Sequence, residues 1–197
     1  MKIIGITGGI GAGKSTVLSI LEQDYGAYCV EADKVAHKLM EPREAAYRQI
    51  VEVFSPDILD QQKQIHRGRM SALIFQHPEK REQLNQIVHP AVKQYILNDI
   101  ERCRMEGKVA IYVLEAALLI EDGYKQICDE LWYVYAEEEQ RIKRLMESRG
   151  YSREKCIQIL NSQSTEDFYR GNCDRMIQND GDIENTKKQV EQFLMYQ

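Results

Sequence analysis

"GITGGIGAGKST" occupies residues 5–16, and the rest of the chain is best understood outward from it. Glycines stand at Gly5, Gly8, Gly9, Gly11 and Gly13, and Lys14 is followed by two hydroxyl residues, Ser15 and Thr16. Glycine is costly to order, so this density marks backbone that something approaches closely. Gly8-x-x-x-x-Gly13-Lys14-Ser15 fits the phosphate-binding P-loop pattern in full. Small residues let successive N–H groups turn inward as an anion nest, and a following helix adds its positive end. The flanks agree. The β-rich run "KIIGIT" (2–7) precedes the loop, and Val17, Leu18, Ile20 and Leu21 recur at helical spacing up to Gly26. The expected ligand is a nucleoside triphosphate. It would be cradled by Gly11, Ala12 and Gly13, with Lys14 on the β- and γ-phosphates, Thr16 on phosphate and Ser15 on Mg²⁺.

Further strands are expected at 27–32, 109–114 and 131–136, with a weaker one at 174–178. Their nearly continuous β-branched and aromatic runs suit parallel strands covered on both faces, which gives an α/β architecture. The stretch from 34 to 107 is too long for a simple crossover. It is expected to hold helices around 34–41, 43–53, 68–76, 79–88 and 91–106, a helical insertion with a binding role. Residues 137–168 are dense in charge and are expected to form one helix, a break near "SRGYS" and a second helix, with a last helix at about 183–195.

At 197 residues, 43% hydrophobic and 29% charged, the chain suits one domain or one domain carrying an insertion. A net charge of −5 argues against a general nucleic-acid binder. The five cysteines form no Cys-x-x-Cys pair, as in a reduced cytosolic protein without zinc. Apolar runs such as "AALLI" (116–120) are far too short to span a bilayer. The expectation is a cytoplasmic monomer or small homo-oligomer with a small-molecule substrate and neither nucleic-acid nor membrane partners.

A P-loop identifies phosphate, not a reaction. An Asn-Lys-x-Asp guanine motif is missing from the sequence, and the nearest apolar strand with an acidic end is "VAIYVLE", ending in Glu115. A kinase remains, and it needs a group to activate an acceptor hydroxyl. Asp33 follows the second strand ("CVEAD"), where ligand crevices open beyond the carboxyl ends of parallel strands. It suits a catalytic base; alone, it equally suits the N-cap of a helix beginning at Lys34. Arg141, Arg144 and Arg149 suit a lid that neutralises transferred charge and excludes water. They also suit a solvated helix paired with Glu137, Glu138 and Glu139. His89, held extended before Pro90, suits a pocket residue or an ordinary helix break. Arg67 and Arg69 suit an acidic substrate or a solvated pair.

Taken in order, these elements resemble the dephospho-coenzyme A kinase family over nearly the whole chain. The double-glycine P-loop, "EAD" at 31–33, "IHRGRMSALIF" at 65–75, "HP" at 89–90 and "EAALLIE" at 115–121 each match a family segment, the last at Leu118, Leu119 and Glu121. "QRIKRLMESRGYS", Gln163 and "CDRMIQNDG" at 173–181 match the lid and the closing run. Ala117 stands where the family usually has proline, and His66 where an Asp is common.

The resemblance implies a three-layer α/β/α P-loop kinase with a five-stranded parallel sheet in order 2-3-1-4-5. The core would be residues 1–33 and 108–197, with a lid at about 138–168 and a substrate-binding insertion at 34–107. It implies transfer from ATP, with Mg²⁺, to the ribose 3′-hydroxyl of dephospho-coenzyme A. Lys14, Asp33 and Arg144 would be catalytic, Arg67, His89 and Leu118 would contact substrate, and adenine would lie near Asn179. The alternatives are another small P-loop kinase, acting on a nucleoside monophosphate or small metabolite, and a nucleotide-dependent switch.

Overall fold

The structure, a computed structural model, describes residues 1–195. The chain divides into two compact units, one of residues 1–30 with the chain from 107 onward, the other Glu31–Glu106.

The first unit is built on a five-stranded sheet. The strands are β1 (Lys2–Thr7), β2 (Tyr28–Glu31), β3 (Ile111–Glu115), β4 (Glu130–Tyr135) and β5 (Arg175–Gln178), in spatial order β2-β3-β1-β4-β5. β1 pairs in parallel with β3 (Ile6 opposite Glu115) and with β4, and β4 pairs in parallel with β5. This is the order that the resemblance implied. Successive residues of β4 show why the strands are apolar on both faces. Trp132 packs edge-on against Phe193, 5.5 Å between ring centroids, while Tyr133 stacks on Tyr169 at 4.8 Å from the opposite face.

Helix α1 (Lys14–Tyr25) follows the P-loop and buries Val17, Leu18, Ile20 and Leu21 in the core cluster that contains Ile4, Ile6 and Trp132. Gly26, at φ +62°, ends it in the left-handed conformation, with its N–H donating to the Glu22 carbonyl and the Ala27 N–H to that of Leu21. The strand starts are pinned by carboxylates. Asp129 accepts from the Ile3 N–H and Asp174 from the Leu131 N–H, both at 2.7 Å.

The second unit is helical. It contains α2 (Ala32–Leu39), α3 (Tyr47–Phe54), α4 (Arg67–Gln76) and α5 (Pro78–Glu106), and α2, α3 and α4 all pack on α5. Here the structure corrects a sequence expectation. The two helices expected at 79–88 and 91–106 are one 29-residue helix with Pro90 inside it, so His89 is helical rather than extended. The reason is packing. Val88, Val92, Ile96, Ile100 and Cys103 form one buried stripe that runs straight past the proline, and its burial outweighs one lost hydrogen bond. α3 begins at Tyr47 rather than 43, because residues 41–46 form turns in which Arg43 adopts φ +80°.

Three helices, not two, fill the charged stretch of the first unit: α6 (Glu138–Arg149), α7 (Arg153–Asn161) and α8 (Glu166–Asn172). Ser152 and Thr165 cap α7 and α8, with hydroxyls accepting from Lys155 and Phe168 N–H groups. The chain closes with α9 (Ile183–Met195), which packs against α1 and β5. All five cysteines are free thiols, and burial pushes those of Cys128 and Cys173 up to about 12, so neither is a nucleophile at neutral pH. Among the described residues no helix is long and apolar enough to cross a membrane.

Candidate active site

The P-loop folds as the sequence leads one to expect, at the carboxyl end of β1. Gly13 takes φ +91° as the N-cap of α1, a conformation that favours glycine. The Ala12 N–H closes a turn onto the Gly9 carbonyl at 3.2 Å, and the Thr16 N–H donates to the Gly13 carbonyl at 3.0 Å. The amides of Gly11, Gly13, Lys14 and Ser15 donate to no acceptor among the described residues, so four donors stand together at the positive end of α1. Lys14 curls back over the loop. Its Nζ donates to the Gly8 carbonyl at 2.9 Å and lies 3.5 Å from Oε1 of Glu115, the last residue of the neighbouring strand β3. The Ser15 side chain is exposed in the first turn.

The side chains that hold this loop come from far along the chain. Arg144, on α6, donates through Nη1 to the carbonyls of Gly11 (3.2 Å) and Ala12 (3.1 Å), and through Nη2 to that of Asn179 (2.6 Å). Asn179, buried just beyond β5, donates its Nδ2 to the Ala12 carbonyl at 2.8 Å and accepts at Oδ1 from the buried Thr186 hydroxyl at 3.0 Å. Arg141 donates from Nε to the Ile10 carbonyl at 2.9 Å and from Nη2 to Oε1 of Gln163 at 2.7 Å; the same oxygen accepts the Ile10 N–H at 3.0 Å. Carbonyls on the outer side of the loop are thus taken up by guanidinium and amide donors.

The arginines do not pair with the acidic run before them, as the solvated-helix alternative required. Glu139 pairs instead with Arg153, and Arg149 is exposed with no partner among the described residues. The glycines are also explained in part by the protein itself. A Cβ at Gly9 would lie 2.2 Å from Arg141 Nη2, and one at Gly13 would lie 2.0 Å from Asn179 Nδ2.

After β3 the chain makes a run of turns in which Leu119 is buried and Leu118 is 45% exposed. Glu121, in the same run, accepts the Ser164 hydroxyl at 2.9 Å. Gln163 and Ser164 are neighbours, so the α7–α8 connection is tied both to the P-loop and to the turns after β3.

In the helical unit, α2 begins at Ala32 with Glu31 as its N-cap residue, so Asp33 does not cap a helix starting at Lys34. Asp33 is exposed in the first turn and makes no hydrogen bond or ion pair among the described residues. Arg69 is not half of a solvated pair. Its Nη1 donates to the carbonyls of Asp57 (3.1 Å) and Leu59 (2.6 Å), a structural tie. Arg67 instead lines a cavity of about 320 Å³ with His37, Met40, Gln64, Met70 and Ile74. His89 lies partly buried within α5. In the sequence Arg141 reads only as one lid arginine and Gln163 only as part of a family match; their meeting at Ile10 joins residues more than a hundred positions apart and leaves no local signal.

The Dephospho-CoA kinase family model (CoaE) matches residues 2–185. A curated dephospho-CoA kinase of Corynebacterium diphtheriae is 39% identical over 181 residues, covering 92% of this chain and 90% of that protein. Among solved structures, one of a Thermus thermophilus protein superposes with a TM-score of 0.81 at 28% identity, over 98% of this chain and 96% of that one. A dephospho-CoA kinase of Campylobacter jejuni superposes with a TM-score of 0.72 at 25% identity, over 99% and 96% of the two chains. A phosphate-binding loop braced from α6 and β5, on a sheet of this order, and a family match running almost from end to end lead to one conclusion: the chain belongs to the dephospho-CoA kinase family.

Proposed function

We propose that this chain transfers the γ-phosphate of ATP to the ribose 3′-hydroxyl of dephospho-coenzyme A, giving coenzyme A and ADP, the last step of coenzyme A biosynthesis. Family membership supports the reaction and its substrate. The observation that carries the nucleotide half is the group of free amides at Gly11, Gly13, Lys14 and Ser15 with Lys14 Nζ folded over them.

The transfer is direct and in line, with no phosphoenzyme. The loop amides and Lys14 hold the polyphosphate and bear the charge that builds on the moving group. Asp33, exposed and unpaired in the first turn of α2, accepts the proton of the 3′-hydroxyl as its oxygen attacks. Arg144 acts through the loop, drawing the Gly11 and Ala12 carbonyls outward so that amides remain turned in. The Asn179 side chain is committed to the loop, so adenine would lie against the backbone beside it. The helical segment 34–107 is the acceptor's unit. Arg67 on its cavity wall suits a substrate phosphate, and His89, together with the exposed Leu118 of the core, is assigned to substrate contact.

Magnesium fits the hard-oxygen donors present, the Ser15 hydroxyl and the Glu115 carboxylate. Among the described residues no three His, Cys, Asp or Glu gather into a protein cage, so the ion would be held together with the nucleotide phosphates. Bound there, it supplies neutralisation of phosphoryl-oxygen charge.

The test is mass analysis of the product formed from ATP, Mg²⁺ and dephospho-coenzyme A. The expected product carries one added phosphate and serves a coenzyme A-requiring enzyme. Preferential phosphorylation of adenosine monophosphate, or no transfer to dephospho-coenzyme A, would overturn the assignment.

A further inference from the structure

Gly9, the second glycine of the double-glycine loop, is kept bare by a neighbour within the protein and not only by a ligand. Its bare α-carbon makes room for Arg141, whose Nη2 would lie 2.2 Å from a Cβ there, and for Gln163 Oε1 at 3.0 Å. The loop has therefore been cleared for a pair of side chains of its own. One oxygen, Gln163 Oε1, accepts from the Ile10 amide at 3.0 Å and from the Arg141 guanidinium at 2.7 Å. A backbone amide and a guanidinium converging on one oxygen at these distances is the donor set that receives a phosphate oxygen.

We propose that Gln163 is a positioning residue for the phosphate end of the nucleotide. Its carbonyl orients the Ile10 amide and Arg141 and gives both donors up to an oxygen of the terminal phosphate. The inference rests on ATP being the nucleotide at the P-loop. Three features support it. A neutral carbonyl is a weaker acceptor than a phosphate oxygen for the same charged donor, so exchange is favourable. Gln163 borders a cavity of about 450 Å³ formed with Tyr133, Tyr135, Glu166 and Tyr169, which gives its side chain room to withdraw. Ser164, the next residue, is anchored to Glu121 at 2.9 Å, so the connection that carries Gln163 stays in place while the side chain moves.

The proposal predicts a selective effect. A carboxylate at position 163 could accept the same two hydrogen bonds, so a purely structural tether survives Gln163→Glu. A positioning residue does not, because the fixed anion retains Arg141 and repels the terminal phosphate. Dissociation constants for ATP and ADP are measured on folded Gln163→Glu protein. Its preference for ATP over ADP is expected to fall by about tenfold or more relative to the unsubstituted chain. A preserved ratio, or equal weakening of both nucleotides, would overturn the proposal.

Gln163→Met, which removes the acceptor without adding charge, provides the second measurement and decides alone if Gln163→Glu does not fold. Its kcat should fall by about tenfold while ADP affinity stays within about twofold; an unchanged kcat would overturn the proposal. The two proposals fail separately. If the unsubstituted chain does not phosphorylate dephospho-coenzyme A, the proposed function falls, while the ATP-to-ADP ratio still tests Gln163.

Discussion

The Asn179 side-chain amide donates to the Ala12 carbonyl at 2.8 Å, joining the loop after the last strand to the phosphate-binding loop after the first. The Asn179 side chain is buried, and its Oδ1 is itself held by Thr186 at 3.0 Å. Its role is to brace the P-loop. Asn179→Ala leaves the Ala12 carbonyl with one fewer donor and the Thr186 hydroxyl buried without its acceptor, at a cost of about 1–3 kcal/mol. A lower Tm is expected, with ATP and ADP weakened alike and the preference for ATP over GTP unchanged. A loss of base preference at unaltered Tm would instead make the side chain a reader of adenine.

Asp33 offers the opposite case. It is exposed and unbonded among the described residues, so Asp33→Asn should leave Tm and ATP affinity close to those of the unsubstituted chain. If Asp33 takes the hydroxyl proton, kcat for dephospho-coenzyme A falls by about 10²–10⁴-fold. Steady-state kinetics with both substrates varied checks this, and a kcat within a few fold of normal removes Asp33 from the chemistry.

What could be read from the sequence follows from locality. The P-loop, its strand and its helix are contiguous, so spacing alone located them, and the strand runs were apolar enough to be found within about two residues. The β2-β3-β1-β4-β5 order came through the resemblance, not through periodicity. Contacts between distant segments had no such signature. Nothing near Ile10 announces Arg141 or Gln163, and nothing near Ala12 announces Asn179. Arg67 and Arg69 looked equivalent as a pair of charges. Only the helix start at Arg67 sends one to a cavity and the other to carbonyls of the preceding turn.

Glu130 predicts a pH dependence. At the start of β4 it gathers Lys2 from β1 at 3.3 Å, Arg175 from β5 at 3.4 Å and the Trp132 indole N–H at 2.9 Å. Burial opposes its charged form, but hydrogen bonds from Trp132, Lys2 and Arg175 outweigh this and hold the carboxyl below its ordinary range. A carboxyl lowered on folding contributes stability that is present above its unfolded pKa and lost as pH falls through its folded one. Glu130→Gln should lower Tm at pH 7, while the gap to the unsubstituted chain closes as pH drops below the carboxylate range. A gap that stayed constant down to pH 3 would trace the loss to packing rather than to charge.

Pro90 is exposed in the middle of a 29-residue helix, where it has no N–H to offer the Gln86 carbonyl and its ring crowds that turn. The stripe Val88–Val92–Ile96–Ile100 keeps the helix whole despite this, so the proline is a cost that packing overrides. Pro90→Ala restores the donor and removes the crowding. The unfolded chain gains some freedom in return, worth about 0.4–1 kcal/mol, which is smaller than the roughly 3 kcal/mol penalty of an interior proline. Thermal melts should therefore show a higher Tm for Pro90→Ala. A Tm equal to or below that of the unsubstituted chain would mean that the ring contributes contacts which the helix needs. If Tm rises while kcat for dephospho-coenzyme A falls, the strain at Pro90 serves the placement of His89, and the stability lost there has a functional cause.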